Sequence, residues 1–204
     1  MTIDFSTHDF INDFRYRKIF KKYFKRNIFL DTFAFCLIIQ GKFDYNKSYN
    51  TLAGDQNYLF MNISTYKKLM GLLEIYKGRL VITPSIVGES LGHMFNAIET
   101  KYGNHPNKKH IEEEFVDFLQ NEIILFKEKH PLIKNILTHR WIEEIKHYKI
   151  RDRIELGELS LFVESDKCKH SVIITKDKYK KNKQGECCSL PNTIIVQLDV
   201  LAVS

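Results

Sequence analysis

Four short runs dominated by Ile, Val, Leu and Phe punctuate the 204-residue chain: NIFL ending at Asp31, RLVIT at 79–83, SVIIT at 171–175 and NTIIVQL at 192–198. Each is too short for a core helix, and the last three are rich in β-branched residues. None shows the strict apolar–polar alternation of a strand with one wet face. Runs of this kind suit strands buried on both sides, which occur where helices cover both faces of a mainly parallel sheet. The stretches between them carry helical spacing: Ile63, Tyr66, Leu69, Met70, Leu73 and Tyr76, then Ile111, Phe115, Phe118, Leu119, Ile123 and Phe126. Strands alternating with helices predict an α/β chain, a three-layer α/β/α domain around a mainly parallel sheet of four to five strands.

The remaining elements follow from turn and cap signals. A helix starting at Thr32 is expected to stop near Gly41, followed by a polar, turn-rich loop over 42–58. Helices are expected over 63–77, from Pro84 to about Glu99, and over 109–129, 131–147 and 153–165, with a loop at 101–108. Pro84 is placed where its fixed φ favours a first helical position. An amphipathic helix over 8–26 precedes the first strand. The chain thus divides into a basic helical extension, 1–26, and one domain, 27–204, with no internal repeat.

Composition supports a core of this size: 44% of residues are hydrophobic and 27% charged, which excludes a disordered or low-complexity chain. The formal net charge is +6. It is uneven, since residues 15–26 carry +7 and the stretch 176–183 carries +4, leaving −5 for the rest. A basic surface flanking acids points to an anionic partner, nucleic acid or a membrane surface. Cys36, Cys168, Cys187 and Cys188 form no CxxC pair and match no zinc spacing, so reduced thiols in the cytoplasm are the expectation. The start, MTIDFSTHDF, is not a secretory signal, and no apolar run reaches the length of a spanning helix.

In a parallel sheet, ligands collect beyond the carboxyl ends of the strands. Asp31 closes the first run, Glu89 lies in the helix after RLVIT, Glu158 lies beside Gly157 in the helix before SVIIT, and Asp177 follows SVIIT by two residues. Carboxylates brought together repel unless a cation binds between them. An all-oxygen donor set suits Mg²⁺ or Mn²⁺, ions that assist phosphodiester hydrolysis.

The same residues carry a family resemblance. IFLDTFAF, VITPSIVGESLGHM, LGELSLFVE and VIITKDK, in this order, resemble the four acidic motifs of PIN-domain nucleases. The resemblance spans about residues 27–200. It implies a metal-dependent ribonuclease with Asp31, Glu89, Glu158 and Asp177 as catalytic and metal-binding acids. Asp31 and Asp177 would ligate directly, and Thr32 and Thr175 would orient carboxylates or water. The third motif carries Glu158 where the family pattern more often has Asp, and Glu155 lies one helical turn earlier. Expected partners are single-stranded or structured RNA, a small inhibitory protein of the toxin–antitoxin kind, and a second copy of the chain. Lys176, Lys178, Lys180 and Lys181 are candidate RNA contacts beside the acids.

Plainer roles exist for each residue. Asp31 suits a helix N-cap, which is compatible with metal binding. Glu158, with Glu155, Arg151 and Arg153, could belong to a solvated charged face. Glu89 could be an exposed helical glutamate, and Asp177 could pair with Lys178 or Lys180. His93 shares a helix face with Glu89, and Ser90 lacks a matched base for nucleophilic catalysis. The competing functional reading is a PIN-like RNA-binding or scaffold protein without hydrolysis; a structure-specific DNA nuclease is a third.

Overall fold

The computed structural model describes residues 2–4, 21–23, 25–46, 63–124, 127–128, 156–168, 170–176 and 193–198. Within these, six parallel strands form one sheet in the order β1-β6-β5-β2-β3-β4. They are β1 (Thr2–Asp4), β2 (Asn27–Leu30), β3 (Arg79–Ile82), β4 (Lys127–Glu128), β5 (Ser171–Thr175) and β6 (Thr193–Gln197). The helices are α1 (Thr32–Asn46), α2 (Ile63–Tyr76), α3 (Pro84–Tyr102), α4 (Lys108–Ile124) and α5 (Leu156–Asp166). The expected helix over 131–147 and most of that over 8–26 lie outside the described residues, as does 47–58 of the expected loop.

The four apolar runs form the four inner strands. Ile28, Phe29 and Leu30 are each fully buried, as are Val172, Ile173 and Ile174. Successive side chains on a strand point to opposite faces, so both faces of the sheet are covered. Burial of each such side chain is worth about 1.5–3 kcal/mol relative to exposure, which is why these runs occupy the middle of the sheet. The two outermost strands, β1 and β4, raise the count to six against an expected four to five. They are three and two residues long and polar in part, so they carry no hydrophobic pattern to read.

Gly41 does not end α1, which continues to Asn46. A Cβ there would fall on the Tyr66 ring. The glycine therefore lets α1 and α2 approach closely, and its helix cost of about 1 kcal/mol is offset by that packing. Lys42 Nζ lies 2.6 Å from Glu122 Oε2, and Phe43 packs on Phe115 with ring centroids 5.0 Å apart, both tying α1 to α4.

The winding of the chain matters most for function. From β2 it moves outward through β3 to β4, then crosses back to β5 on the opposite side of β2 and continues to β6. The strand order therefore reverses between β2 and β5. In open parallel sheets, the crevice beyond the carboxyl ends at such a reversal is where ligands bind. No described helix is long and apolar enough to cross a membrane.

Candidate active site

Asp31 follows β2 directly and sits at the reversal, 5% exposed. Its backbone N–H donates to Ile174 O at 3.1 Å, which extends the β2–β5 ladder by one bond. Its side chain spans two elements. Oδ1 accepts from Ala34 N at 2.6 Å, capping α1, and Oδ2 accepts from Lys176 N at 3.3 Å, just beyond β5. The cap role and the placement at the strand end therefore coexist. Thr32, half-buried, is the first residue of α1, and Thr175, fully buried, is the last of β5.

Glu89 lies on α3 and Glu158 in the first turn of α5. Thr83, the last residue before α3, accepts from Ile86 N at 3.4 Å and caps the helix, with Pro84 following as read from the sequence. Glu89 lies about 7–8 Å down the helix axis from Pro84. Helical side chains tilt toward the N-terminus, the end of α3 that adjoins β3. Helix α5 leads into β5 through a short connection, so its C-terminus lies near the start of β5 and its N-terminus near the opposite edge. Glu158 is in the first turn of α5, half-buried, where a negative charge also favours the helix dipole.

A buried hydroxyl relay fixes α3 against α5. Ser160 Oγ donates to Gly157 O at 2.6 Å and is 2.6 Å from Thr83 Oγ1. Since Ser160 has spent its single proton on Gly157, Thr83 donates to Ser160. Both hydroxyls are fully buried. Next to this relay, a Cβ on Gly157 would lie 2.6 Å from Glu89 Oε2. Gly157 thus leaves room for the Glu89 carboxylate beside the turn that bears Glu158. The relay gave no signal in the sequence, because Ser and Thr near helix starts are ordinary caps; only Gly157 hinted at close approach.

Cys36 and Ser90 complete the interior side. The Cys36 thiol donates to Ser90 O at 3.8 Å. Its pKa is pushed up to about 11, by burial first, partly offset by the hydrogen bond to Ser90, with the negative charges of Asp31 and Glu89 adding smaller raises. Both carboxylates therefore act on one thiol, and burial together with their charge favours its protonated form. Ser90 Oγ is fully buried and finds no hydrogen-bond partner among the described residues. His93 Nε2 lies 3.9 Å from Glu89 Oε1 on the exposed side of α3.

The acids carried toward this edge offer carboxylate oxygens, ligands that by their chemistry suit hard ions such as Mg²⁺ or Mn²⁺ rather than soft metals. Among the described residues, no three His, Cys, Asp or Glu side chains are grouped closely enough to hold an ion. Asp177, Lys178, Lys180, Lys181 and Glu155 lie outside the described residues. Lys176, exposed, places its Nζ 5.1 Å from the Phe33 ring centroid. Comparison of the chain with protein-family models, with curated proteins and with solved structures finds no match.

Proposed function

We propose that the chain is a metal-dependent ribonuclease of PIN type, hydrolysing RNA phosphodiester bonds at the carboxyl edge of the sheet. The observation that carries the reading is the position of Asp31. It is a nearly buried carboxylate at the strand-order reversal, tied to β5 just before Asp177. Asp31, Glu89, Glu158 and Asp177 would hold Mg²⁺ or Mn²⁺. When bound, the ion would supply Lewis acidity and neutralise charge on the phosphodiester. The chain's own residues do the positioning. The Asp31 cap fixes the start of α1 against β5, Gly157 admits the Glu89 carboxylate, and the Thr83–Ser160 relay keeps α3 and α5 in register. Lys176 offers positive charge beside the acids for a phosphate.

Cleavage of unstructured RNA by the purified full chain in Mn²⁺ tests this reading. Asp31→Asn and Asp177→Asn are each expected to abolish it while the protein stays folded. Undiminished cleavage by both variants would overturn the proposal.

One observation favours the second reading, a PIN-like RNA-binding or scaffold protein without hydrolysis. Both Asp31 oxygens already accept main-chain N–H groups, as they would in a purely structural cap. That reading expects RNA binding with neither cleavage nor Mn²⁺ uptake.

A further inference from the structure

We infer that the amino-terminal edge of the sheet, opposite the candidate site, is a docking surface for an anionic lipid membrane. The inference stands apart from the nuclease reading and uses none of its residues. Because the strands are parallel, the starts of β2, β3, β5 and β6 line one edge: Asn27 pairs with Arg79 and with Ser171, and Ser171 with Thr193. That edge is about 13 Å from the Asp31 end, the rise of a four-residue strand. Two separate stretches of chain bring cations to it. Lys21, Lys22, Lys25 and Arg26 precede β2, Lys77 precedes β3 and Arg79 opens it, and all six are exposed. The stretches are joined where Arg79 N–H donates to Arg26 O at 2.7 Å and Arg79 Nε donates to Asn27 Oδ1 at 3.1 Å.

The charge here is held against a local preference and is little offset. Lys77 closes α2, its N–H donating to Leu73 O at 2.9 Å, with φ at 49°. Glycine is the ordinary occupant of that left-handed position at a helix end, and the chain has lysine there. Acids at the ends of the helices leading into β3 and β5 do little to neutralise the edge. Glu164 is buried with its Oε1 3.5 Å from Lys167 Nζ, Asp166 is half-buried, and Glu74 is exposed. Among the described residues, no ion pair engages any of the six cations. A cationic surface of this kind is complementary to a plane of anionic headgroups, where each basic residue adds roughly fivefold to binding. A nucleic-acid strand also asks for aromatic faces on which its bases stack. The described aromatic at this edge, Tyr23, is half-buried against the core; its ring meets His170 edge-on at 5.1 Å, and Lys22 Nζ lies 6.0 Å from its centroid. Docked through this edge, the chain turns its Asp31 end away from the bilayer.

Co-sedimentation of the full chain with vesicles tests the inference. The vesicles are phosphatidylcholine alone or with about 30% phosphatidylserine, the lipid that gives a membrane its negative surface. Two double variants lose equal charge from exposed positions: Lys25→Gln with Lys77→Gln at the edge, and Lys67→Gln with Lys68→Gln roughly 15 Å back along α2. Wild type is expected to bind the phosphatidylserine vesicles, to ignore the neutral ones, and to be released by salt at about 0.5 M. The edge variant is expected to bind about 25-fold more weakly, and the α2 variant less than about threefold. Wild type that ignores phosphatidylserine vesicles, that binds both vesicle types equally, or that is weakened equally by the two double substitutions would overturn the inference. A labelled RNA duplex is the competing anion. An edge variant that loses affinity for the duplex while keeping its vesicle binding would assign the edge to nucleic acid and overturn the membrane reading.

Discussion

Replacing Asp31 by Ala and by Asn separates the two jobs its carboxylate performs in the fold. Alanine removes the acceptor for Ala34 N, a cap worth about 1 kcal/mol with a range of roughly 0.5–2. It also strips Lys176 N of its acceptor at 3.3 Å, a part-buried donor whose loss costs about 0.5–1.5 kcal/mol. The two together give a destabilisation of about 2 kcal/mol. For a chain of this size each kcal/mol lowers Tm by roughly 2–4 °C, so Asp31→Ala should melt about 4–8 °C below wild type. Asparagine caps as well as aspartate and keeps one oxygen for Ala34 N, but sets an amide N–H₂ toward Lys176 N. It should therefore lose about 1 kcal/mol, near 2–4 °C. Thermal melts by circular dichroism at neutral pH, in chelator, read both values. Equal melting of all three proteins would refute the bond assignments, and an Asn variant less stable than Ala would refute the cap.

Other perturbations test the surrounding structure. Gly41→Ala should destabilise by about 1–3 kcal/mol through overlap with the Tyr66 ring, despite its better helix propensity. Gly92→Ala, whose Cβ would meet nothing within 4 Å, should stabilise by up to about 1 kcal/mol; denaturant midpoints compare the pair. Gly157→Ala forces the Glu89 carboxylate aside and should raise the Mn²⁺ concentration needed for RNA cleavage roughly tenfold, with little change in Tm. Cys36, ordinarily near 9.0 and here about 11, favours the protonated thiol in the folded state. Its stabilising contribution is complete below pH 9 and lost as pH rises through about 11, by roughly 2–3 kcal/mol. The loss of stability over that window should be shallower in Cys36→Ala than in wild type.

What the sequence disclosed follows from where hydrophobicity is concentrated. The four inner strands were legible because burial on both faces demands unbroken apolar runs, as in Ile28–Leu30 and Val172–Ile174. Strands β1 and β4 were not, since a three-residue and a two-residue edge strand are held by ladder bonds to neighbours rather than by a side-chain pattern. The end of α1 is not legible locally, because Gly41 reads as a helix stop whereas its missing Cβ serves contact with Tyr66, a residue more than twenty positions away. Asp31 was readable as an acid closing an apolar run ahead of a helix, and that single placement implied both its cap and its position at the sheet edge. The Thr83–Ser160 relay joins residues 77 positions apart, and nothing local distinguishes either hydroxyl from an ordinary cap.

The central claim is that the carboxylates at the strand-order reversal hold a divalent cation. Calorimetric titration of the full chain with Mn²⁺ tests it without reference to any substrate. Saturable binding at one or two sites below about ten millimolar, lost in Asp31→Asn and weakened in Glu89→Gln, is the expected result. No binding by wild type over that range, or binding that both variants retain in full, would contradict it.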